Sequence, residues 1–441
     1  MEKRDCEALR LHRILTHVLL ILLAIGLTST SAFHRGTSDR ITRGRTKTTE
    51  DFDHIFKDLK NLSYPPDDFY KVVQNRIPQS VPHPCETTLD KPQWRSPIPP
   101  KSAHKLRPGD IDVIAAMGDS LTSANSAREE SGIGVVIQDR GVSFSGGGLG
   151  TWREITTLPN IIKIFNPNLI GFARDRGDFL SENAQLNVAV PAALDDDIMN
   201  QVKLFIYKMK SDRRIDFNNH WKLLTIFIGH NDICSYHCLD REKHSPRNHA
   251  LNLQEGLDYL YKHVPRIFVN IMSILDPTIA TRGPFTNECL VYLRLFCACL
   301  FRTQDFDKNK VSISRVVRHY QALEKELTLS GRYDGREDFA VVIQPFMIFL
   351  NGPTNIGEPE SPSLLNLMSE SEFFWSRDCF HFNQRGLASA SIHLWNNMVE
   401  PVGNKSMTFE GDYAEYKCPS KRNPYFFTAK NTATFYREGH Q

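Results

Sequence analysis

Short apolar runs alternate with longer amphipathic stretches through most of the chain. Four runs are almost wholly apolar, as is typical of strands buried on both faces of a sheet: 111–117, 223–228, 266–271 and 339–343. Four stretches repeat apolar residues at helical spacing: 198–209, 251–262, 311–329 and 384–399. Strands that alternate with helices predict an α/β fold with a parallel central sheet covered by helices.

The first 32 residues have the pattern of a targeting segment. Basic residues precede an apolar run at 18–27, and small polar residues follow it up to Ala32. The run is shorter than the ~20 residues that a membrane-spanning helix needs. We therefore expect a cleaved signal peptide over 1–32 and a secreted protein. An uncleaved signal anchor, which would give a membrane-bound form, is the alternative.

The composition excludes several classes of protein. Lys and Arg number 53 against 51 for Asp and Glu, and a formal net charge of +2 does not favour nucleic acid as a partner. With 41% hydrophobic and 24% charged residues, the chain is typical of a folded globular protein. The sequons at Asn61 and Asn404 are candidate glycosylation sites.

Cysteine usage agrees with secretion. Nine cysteines become eight once 1–32 is removed, and an even number in an oxidising compartment favours up to four disulfides of open connectivity. A metal site of Cys234 and Cys238 with His230 and His237 is the alternative. We favour disulfides and predict no metal.

Candidate chemical groups follow the predicted strands or precede the last helix. Ser120 comes just after the first strand, and Asn231 follows the second. Asp378 and His381 lie just before the last helix. Ser120 would be a nucleophile, with His381 as its general base and Asp378 as the group that orients the imidazole. The Ser120 N–H and the Asn231 side chain would bind an oxyanion. Each residue alone has an ordinary structural explanation, so the hypothesis depends on their joint order.

Three blocks carry a family resemblance. Gly118-Asp-Ser-Leu, Gly229-His-Asn-Asp and Asp378-Cys-Phe-His resemble the first, third and fifth blocks of SGNH or GDSL-type hydrolases. Further stretches resemble the membrane-associated phospholipase B branch: 140–148, 157–161, 186–191, 264–269, 418–420 and 423–425. The resemblance covers about 106–431, which we take as the hydrolase domain. A proline-rich arm or pro-segment at 33–105 precedes it, and a polar tail at 432–441 follows it.

The resemblance implies a three-layer, flavodoxin-like α/β/α fold that hydrolyses carboxylic esters without a metal or another cofactor. It assigns Ser120, His381 and Asp378 the same roles as above. The second block departs from the family pattern, because Ala192 stands where the family has glycine. Alanine keeps an N–H but resists a positive φ, so this third oxyanion donor is present, displaced or weakened.

The expected function is that of a secreted serine esterase of phospholipase B type. It would cleave acyl esters of phospholipid or lysophospholipid substrates through an acyl-enzyme, at a membrane or micelle surface. One alternative is a GDSL esterase acting on neutral lipids, retinyl esters or acetylated sugars. Another is a catalytically silent lipid- or glycan-binding protein, suggested by Ala192.

Two further features bear on the substrate. Four aromatic residues near His381 are candidates for an acyl-chain groove, with core packing as the alternative: Phe373, Phe374, Trp375 and Phe380. The glycine-rich stretch Gly146–Gly150 lacks the residues of a phosphate-binding loop. We expect it to form a flexible loop beside Ser120.

Overall fold

The computed structural model describes residues 72–88, 90–129, 132–282, 287–361, 374–409 and 415–438. These residues belong to one unit that spans Asn61–Gln441. The expected signal peptide, the first part of the arm, Asn61 and Phe373 lie outside the described residues. Asn404 is exposed, as a glycosylation site requires.

Four parallel strands form the sheet, in the order β1-β2-β3-β4. They are β1 Ile111–Gly118, β2 Trp221–Phe227, β3 Ile267–Met272 and β4 Phe339–Gln344. In the register of the sheet, Leu224 pairs with Ala115 on one side and with Val269 on the other. Nearly every strand residue is buried, which explains why continuous apolar runs predicted these strands.

The other side of β1 is covered by two isolated parallel bridges. Val113 pairs with Ile170, and Ala116 pairs with Asn187. The buried Arg140 supports the second bridge, because its Nη1 donates to both the backbone oxygen and Oδ1 of Asn187, each at 3.0 Å. The block that contains Asn187 is thereby held beside the carboxyl end of β1.

In the described residues, seven α-helices accompany the sheet. They are α1 Leu158–Phe165, α2 Ile198–Ser211, α3 Pro246–His263, α4 Asn287–Phe296, α5 Phe306–Leu329, α6 Gln384–Met398 and α7 Ala429–Glu438. Helices α2, α3 and α5 form one contacting group, and α1 packs on α6. Helices α1 and α6 share a hydrophobic core with Leu223 and Phe227, which point to one face of β2. The predicted three-layer α/β/α arrangement is confirmed, and α7 occupies much of the polar tail.

Four disulfides join all eight cysteines that follow residue 32. The pairs are Cys85–Cys418, Cys234–Cys297, Cys238–Cys299 and Cys289–Cys379. The expectation of four disulfides is confirmed, and Cys234 and Cys238 are not available as thiolate ligands for a metal. In the described ranges, no helix is both long and apolar enough to cross a membrane.

The glycine-rich stretch is closely packed. A Cβ on Gly146 would lie 2.8 Å from that of Ala116, and a Cβ on Gly148 would lie 2.2 Å from the Phe172 ring. The Gly148 N–H also donates to Ala173 O at 2.8 Å. These glycines allow close approach of neighbouring segments, so the expectation of a flexible loop was wrong.

Candidate active site

Ser120 lies at the carboxyl edge of the sheet, in the turn that follows β1. Gly118 has a φ of +151°, and a Cβ there would lie 2.1 Å from Phe227 O, so the turn requires glycine. Asp119 Oδ1 accepts the Leu121 N–H at 2.9 Å, which fixes the turn from within. Ser120 itself is only 7% exposed. The turn therefore presents the hydroxyl in a nearly dry environment.

His381 joins Ser120 to Asp378. Its Nδ1 lies 2.6 Å from Asp378 Oδ2, and its Nε2 lies 2.7 Å from Ser120 Oγ. Because a carboxylate can only accept, Nδ1 carries the proton and Nε2 accepts from the Ser120 hydroxyl. The structure thus brings Ser120 to the neighbouring pair Asp378 and His381, although Ser120 and His381 are 261 residues apart in the sequence. We call them the Ser120 cluster.

Asp378 is held as an ionised carboxylate. Its Oδ1 accepts hydrogen bonds from Ser376 Oγ at 2.6 Å, Phe380 N at 3.0 Å and His381 N at 2.9 Å. Burial raises the pKa of Asp378, but its close pairing with the His381 ring and the hydrogen bonds from His381 and Ser376 outweigh burial and keep the pKa below its usual value. A permanent negative charge therefore faces Nδ1 of His381.

The three candidate oxyanion donors lie on separate segments. Within the described ranges, no residue accepts a hydrogen bond from the backbone N–H of Ser120 or of Ala192. The Asn231 side chain donates to Ala193 O at 3.0 Å, which ties the second block to the third. Ala192 is exposed and has a φ of +58°, so alanine adopts the left-handed conformation that it was expected to resist.

His230, in the third sequence block, is linked to Asp119, the residue before Ser120 in the first block. Its Nδ1 lies 2.7 Å from Asp119 Oδ2, and its Nε2 accepts the Leu275 N–H at 3.2 Å. Both ring nitrogens are therefore engaged, and His230 has no position from which to take a proton from Ser120. This neighbour of Asn231 has a structural role that sequence reasoning missed.

Another buried histidine, His249, lies near the segment that follows β2 and contains Asn231. His249 Nδ1 is 3.2 Å from Asp195 Oδ2, and its Nε2 is 3.2 Å from Glu324 Oε1. Burial lowers the pKa of His249, but its hydrogen bonds to the two carboxylates outweigh burial and raise the pKa to about 10. The Asp195 N–H donates to Asp232 Oδ2 at 2.9 Å, next to Asn231. We call Asp195, His249 and Glu324 the His249 cluster.

The His249 cluster was also missed, although the sequence contains a signal for it. His249 precedes Leu253 and Leu257 at intervals of four, so it lies on the apolar face of α3. Glu324 likewise shares the buried face of α5 with Val317 and Tyr320. Charged residues at apolar positions indicate a buried ionic partner.

The aromatic residues near His381 divide into two groups. Phe374 packs on Phe409, and Trp375 stacks on Phe382, so these two belong to the core, as the alternative interpretation held. Phe380 is also buried, in a second hydrophobic cluster, and its ring lies 5.2 Å from the His381 ring. A residue not identified from the sequence, Phe296 of α4, lies 5.4 Å from the His381 ring. The apolar surroundings of His381 therefore come from Phe380 and α4.

No group of three or more His, Cys, Asp or Glu residues in the described part of the chain is arranged to hold a metal ion. The geometry supports nucleophilic chemistry in which the His381 imidazole activates the Ser120 hydroxyl. A carboxylate orients the imidazole, and backbone or amide N–H groups lie on neighbouring loops.

Comparison of the sequence with known proteins identifies the family of this chain. A family model described as GDSL-like Lipase/Acylhydrolase matches residues 114–392. The chain is 38% identical over 343 residues to phospholipase B1, membrane-associated, of Mus musculus, which covers 76% of this chain and 22% of that protein. The Homo sapiens protein of the same name is 38% identical over 343 residues, covering 76% and 23% respectively. The Rattus norvegicus protein is 40% identical over 339 residues, covering 76% and 22%.

The chain thus spans less than a quarter of the length of these relatives. The match to the family model, in contrast, covers more than half of the chain and includes the strands and loops that carry Ser120, Asn231 and His381. The chain belongs to the GDSL-like lipase/acylhydrolase family.

Proposed function

We propose that this protein is a serine esterase that hydrolyses acyl esters of glycerophospholipids and lysophospholipids. The observation that carries the proposal is the continuous hydrogen-bonded line from Asp378 through His381 to Ser120 Oγ, with contacts of 2.6 and 2.7 Å. The similarity to proteins named phospholipase B1 supports the phospholipid substrate class.

In the proposed mechanism, Ser120 Oγ attacks the acyl carbonyl while His381 Nε2 takes the hydroxyl proton. Asp378 stabilises the imidazolium that forms. The Ser120 N–H, the Asn231 amide and the Ala192 N–H donate to the oxyanion. His381 then protonates the leaving alcohol, and an acyl-enzyme remains on Ser120. A water then attacks the acyl-enzyme while giving a proton to His381. The bond between Ser120 Oγ and the acyl carbon breaks, His381 returns the proton to Oγ, and the fatty acid leaves.

We further infer that the protein works in an oxidising compartment, outside the cell or in the secretory lumen. The four disulfides support this location, because such bonds persist where thiols are not kept reduced. The signal-like segment 1–32 supports secretion, and a signal-anchored form remains the alternative. Substrate would then be met at a membrane or micelle surface.

The test measures fatty-acid release from phosphatidylcholine and lysophosphatidylcholine in the presence of a chelator. We expect the wild type to release fatty acid and Ser120→Ala to lower the rate by about 10³-fold or more. Ser211→Ala, an exposed serine at the end of α2, is the matched control and should be fully active.

The other outcomes separate the alternatives. Cleavage of short-chain esters without any phospholipid hydrolysis would leave an esterase with another substrate. Inertness towards every ester, together with lipid binding that survives Ser120→Ala, would favour the silent binding protein.

A further inference from the structure

Three disulfides converge on one short segment beside the candidate active site. Cys289 pairs with Cys379, which lies between Asp378 and His381. Cys297 and Cys299, which follow the end of α4, pair with two cysteines that come after Asn231 in the sequence. Cys297 pairs with Cys234, and Cys299 pairs with Cys238. We call residues 287–301 the stapled segment. Its disulfides hold it against both the loop that contains Asp378 and His381 and the helical turn that follows Asn231.

Within the stapled segment, Phe296 contacts His381. Its ring lies 5.4 Å from the His381 ring in an edge-to-face arrangement and 5.6 Å from the Phe380 ring. Its backbone oxygen accepts a hydrogen bond from Ser235 Oγ at 3.1 Å, which fixes it to the Asn231 loop. Tyr292, one turn earlier, stacks on Phe296. Both rings are only partly buried, and Leu295 beside them is 51% exposed.

The geometry of ester hydrolysis determines which half of a substrate would meet these side chains. The tetrahedral carbon has four substituents: Ser120 Oγ, the oxyanion, the leaving oxygen and the acyl chain. The oxyanion points to its N–H donors, and the leaving oxygen must lie near His381 Nε2, which protonates it. The acyl chain takes the remaining direction, away from His381. Because Phe296 packs on the His381 ring, we place it on the side of the carbonyl that the alcohol half would occupy.

We propose that Phe296 and the exposed face of α4 form a binding site for a hydrocarbon chain carried by the alcohol half of the substrate. In a diacyl phospholipid, the chain that is not being cleaved belongs to that half. A lysophospholipid lacks this second chain. The site would therefore favour diacyl over monoacyl substrates through apolar contact. This inference rests on the proposed function.

The test uses two isomeric esters, octyl acetate and ethyl octanoate, which carry the same chain in the alcohol half and the acyl half respectively. We expect Phe296→Ala to lower kcat/KM for octyl acetate by roughly tenfold and for ethyl octanoate by less than about twofold. The ratio of phosphatidylcholine to lysophosphatidylcholine hydrolysis should fall in the same variant. Phe296→Leu, which keeps an apolar side chain, should restore most of the loss.

Phe435→Ala is the matched control, because Phe435 is a partly buried phenylalanine of α7 that packs on Phe427. It should leave both esters unaffected. An equal loss on the two esters in Phe296→Ala, or a selective loss on ethyl octanoate, would overturn this inference and leave the proposed function intact. If the wild type hydrolyses no ester at all, the proposed function fails, and this inference fails with it.

Discussion

Two of the buried histidines, His381 and His249, each pair one ring nitrogen with a carboxylate but differ in what the other ring nitrogen meets. His381 has Asp378 on Nδ1 and the Ser120 hydroxyl on Nε2. His249 has a carboxylate on each nitrogen, Asp195 and Glu324, so both nitrogens carry protons and the ring stays positively charged. A histidine–carboxylate pair alone therefore does not indicate a general base. The partner of the second nitrogen separates an imidazole that can take a proton from a structural cation.

The largest expected effect comes from the carboxylate of the Ser120 cluster. Asp378→Asn should lower kcat by on the order of 10⁴, because the amide neither fixes the Nδ1–H tautomer nor stabilises the imidazolium. KM should change little, whereas the thermal unfolding temperature should fall at neutral pH because the stabilising contribution of the ionised carboxylate is lost. The measurement is steady-state kinetics on octyl acetate beside Asp307→Asn, a matched change at an exposed position of α5. A loss below tenfold would show that His381 does not depend on Asp378.

The two clusters also differ in how far their residues could be predicted from the sequence. Asp378 and His381 are three residues apart in one loop, and Ser120 and Asn231 each follow a strand whose apolar run is visible in the sequence. The roles of these residues remain predictions. His249 and Glu324 come from two helices, 75 residues apart. Helical periodicity indicates that such residues are buried, but it does not indicate which charges meet.

Phe296 illustrates a different reason why a residue near the candidate site could not be predicted from the sequence. Residues 287–296 are apolar on most sides, so no clear periodicity predicted α4. The place of α4 beside His381 also depends on the disulfides, whose pairing cannot be deduced from the spacing of cysteines. The four strands, in contrast, were predicted closely because a strand buried on both faces is a continuous apolar run.

In the His249 cluster, the expected effect is on stability. His249→Gln removes the cation between two buried carboxylates, and breaking a buried pair in this way destabilises a protein by about 3–5 kcal/mol. The measurement is the free energy of unfolding from urea titration. His263→Gln, at the exposed end of α3, is the control. The kcat of the folded variant should fall far less than in Asp378→Asn. A collapse of kcat with unchanged stability would contradict the structural role.

The two clusters should also respond to pH in opposite directions. The pKa of His249 is raised to about 10 in the folded protein, so its stabilising contribution is complete below its unfolded pKa of ~6.5 and is lost as the pH rises towards 10. The pKa of Asp378 is lowered, so its contribution is present above the unfolded pKa of ~3.9 and is lost in acid.

Unfolding free energies at pH 7, 8, 9 and 10 would test this difference. The wild type should lose more stability than His249→Gln over that range, by up to about 1.4 kcal/mol per pH unit. Asp378→Asn should keep the alkaline slope of the wild type and lose less stability than the wild type below pH 4. Identical alkaline slopes in the wild type and His249→Gln would mean that His249 does not release a proton on unfolding there.

The smallest expected effect is at Ala192, on the segment that links the two clusters. Ala193 O accepts from Asn231, and Asp195 holds His249, so Ala192 is kept at a φ of +58° by contacts on its carboxyl side. Ala192→Gly should raise stability by up to about 1 kcal/mol, because glycine has no Cβ strain at positive φ. The kcat should change by no more than a few-fold, since both residues offer the same N–H.

Ala433→Gly supplies a control of opposite sign. Ala433 is exposed within α7, where glycine costs roughly 0.5–1 kcal/mol relative to alanine. The same substitution should therefore stabilise the protein at Ala192 and destabilise it at Ala433, as measured by urea titration. If both variants lose stability, Ala192 is not strained, and the departure from the family glycine imposes no conformational cost on the candidate oxyanion site.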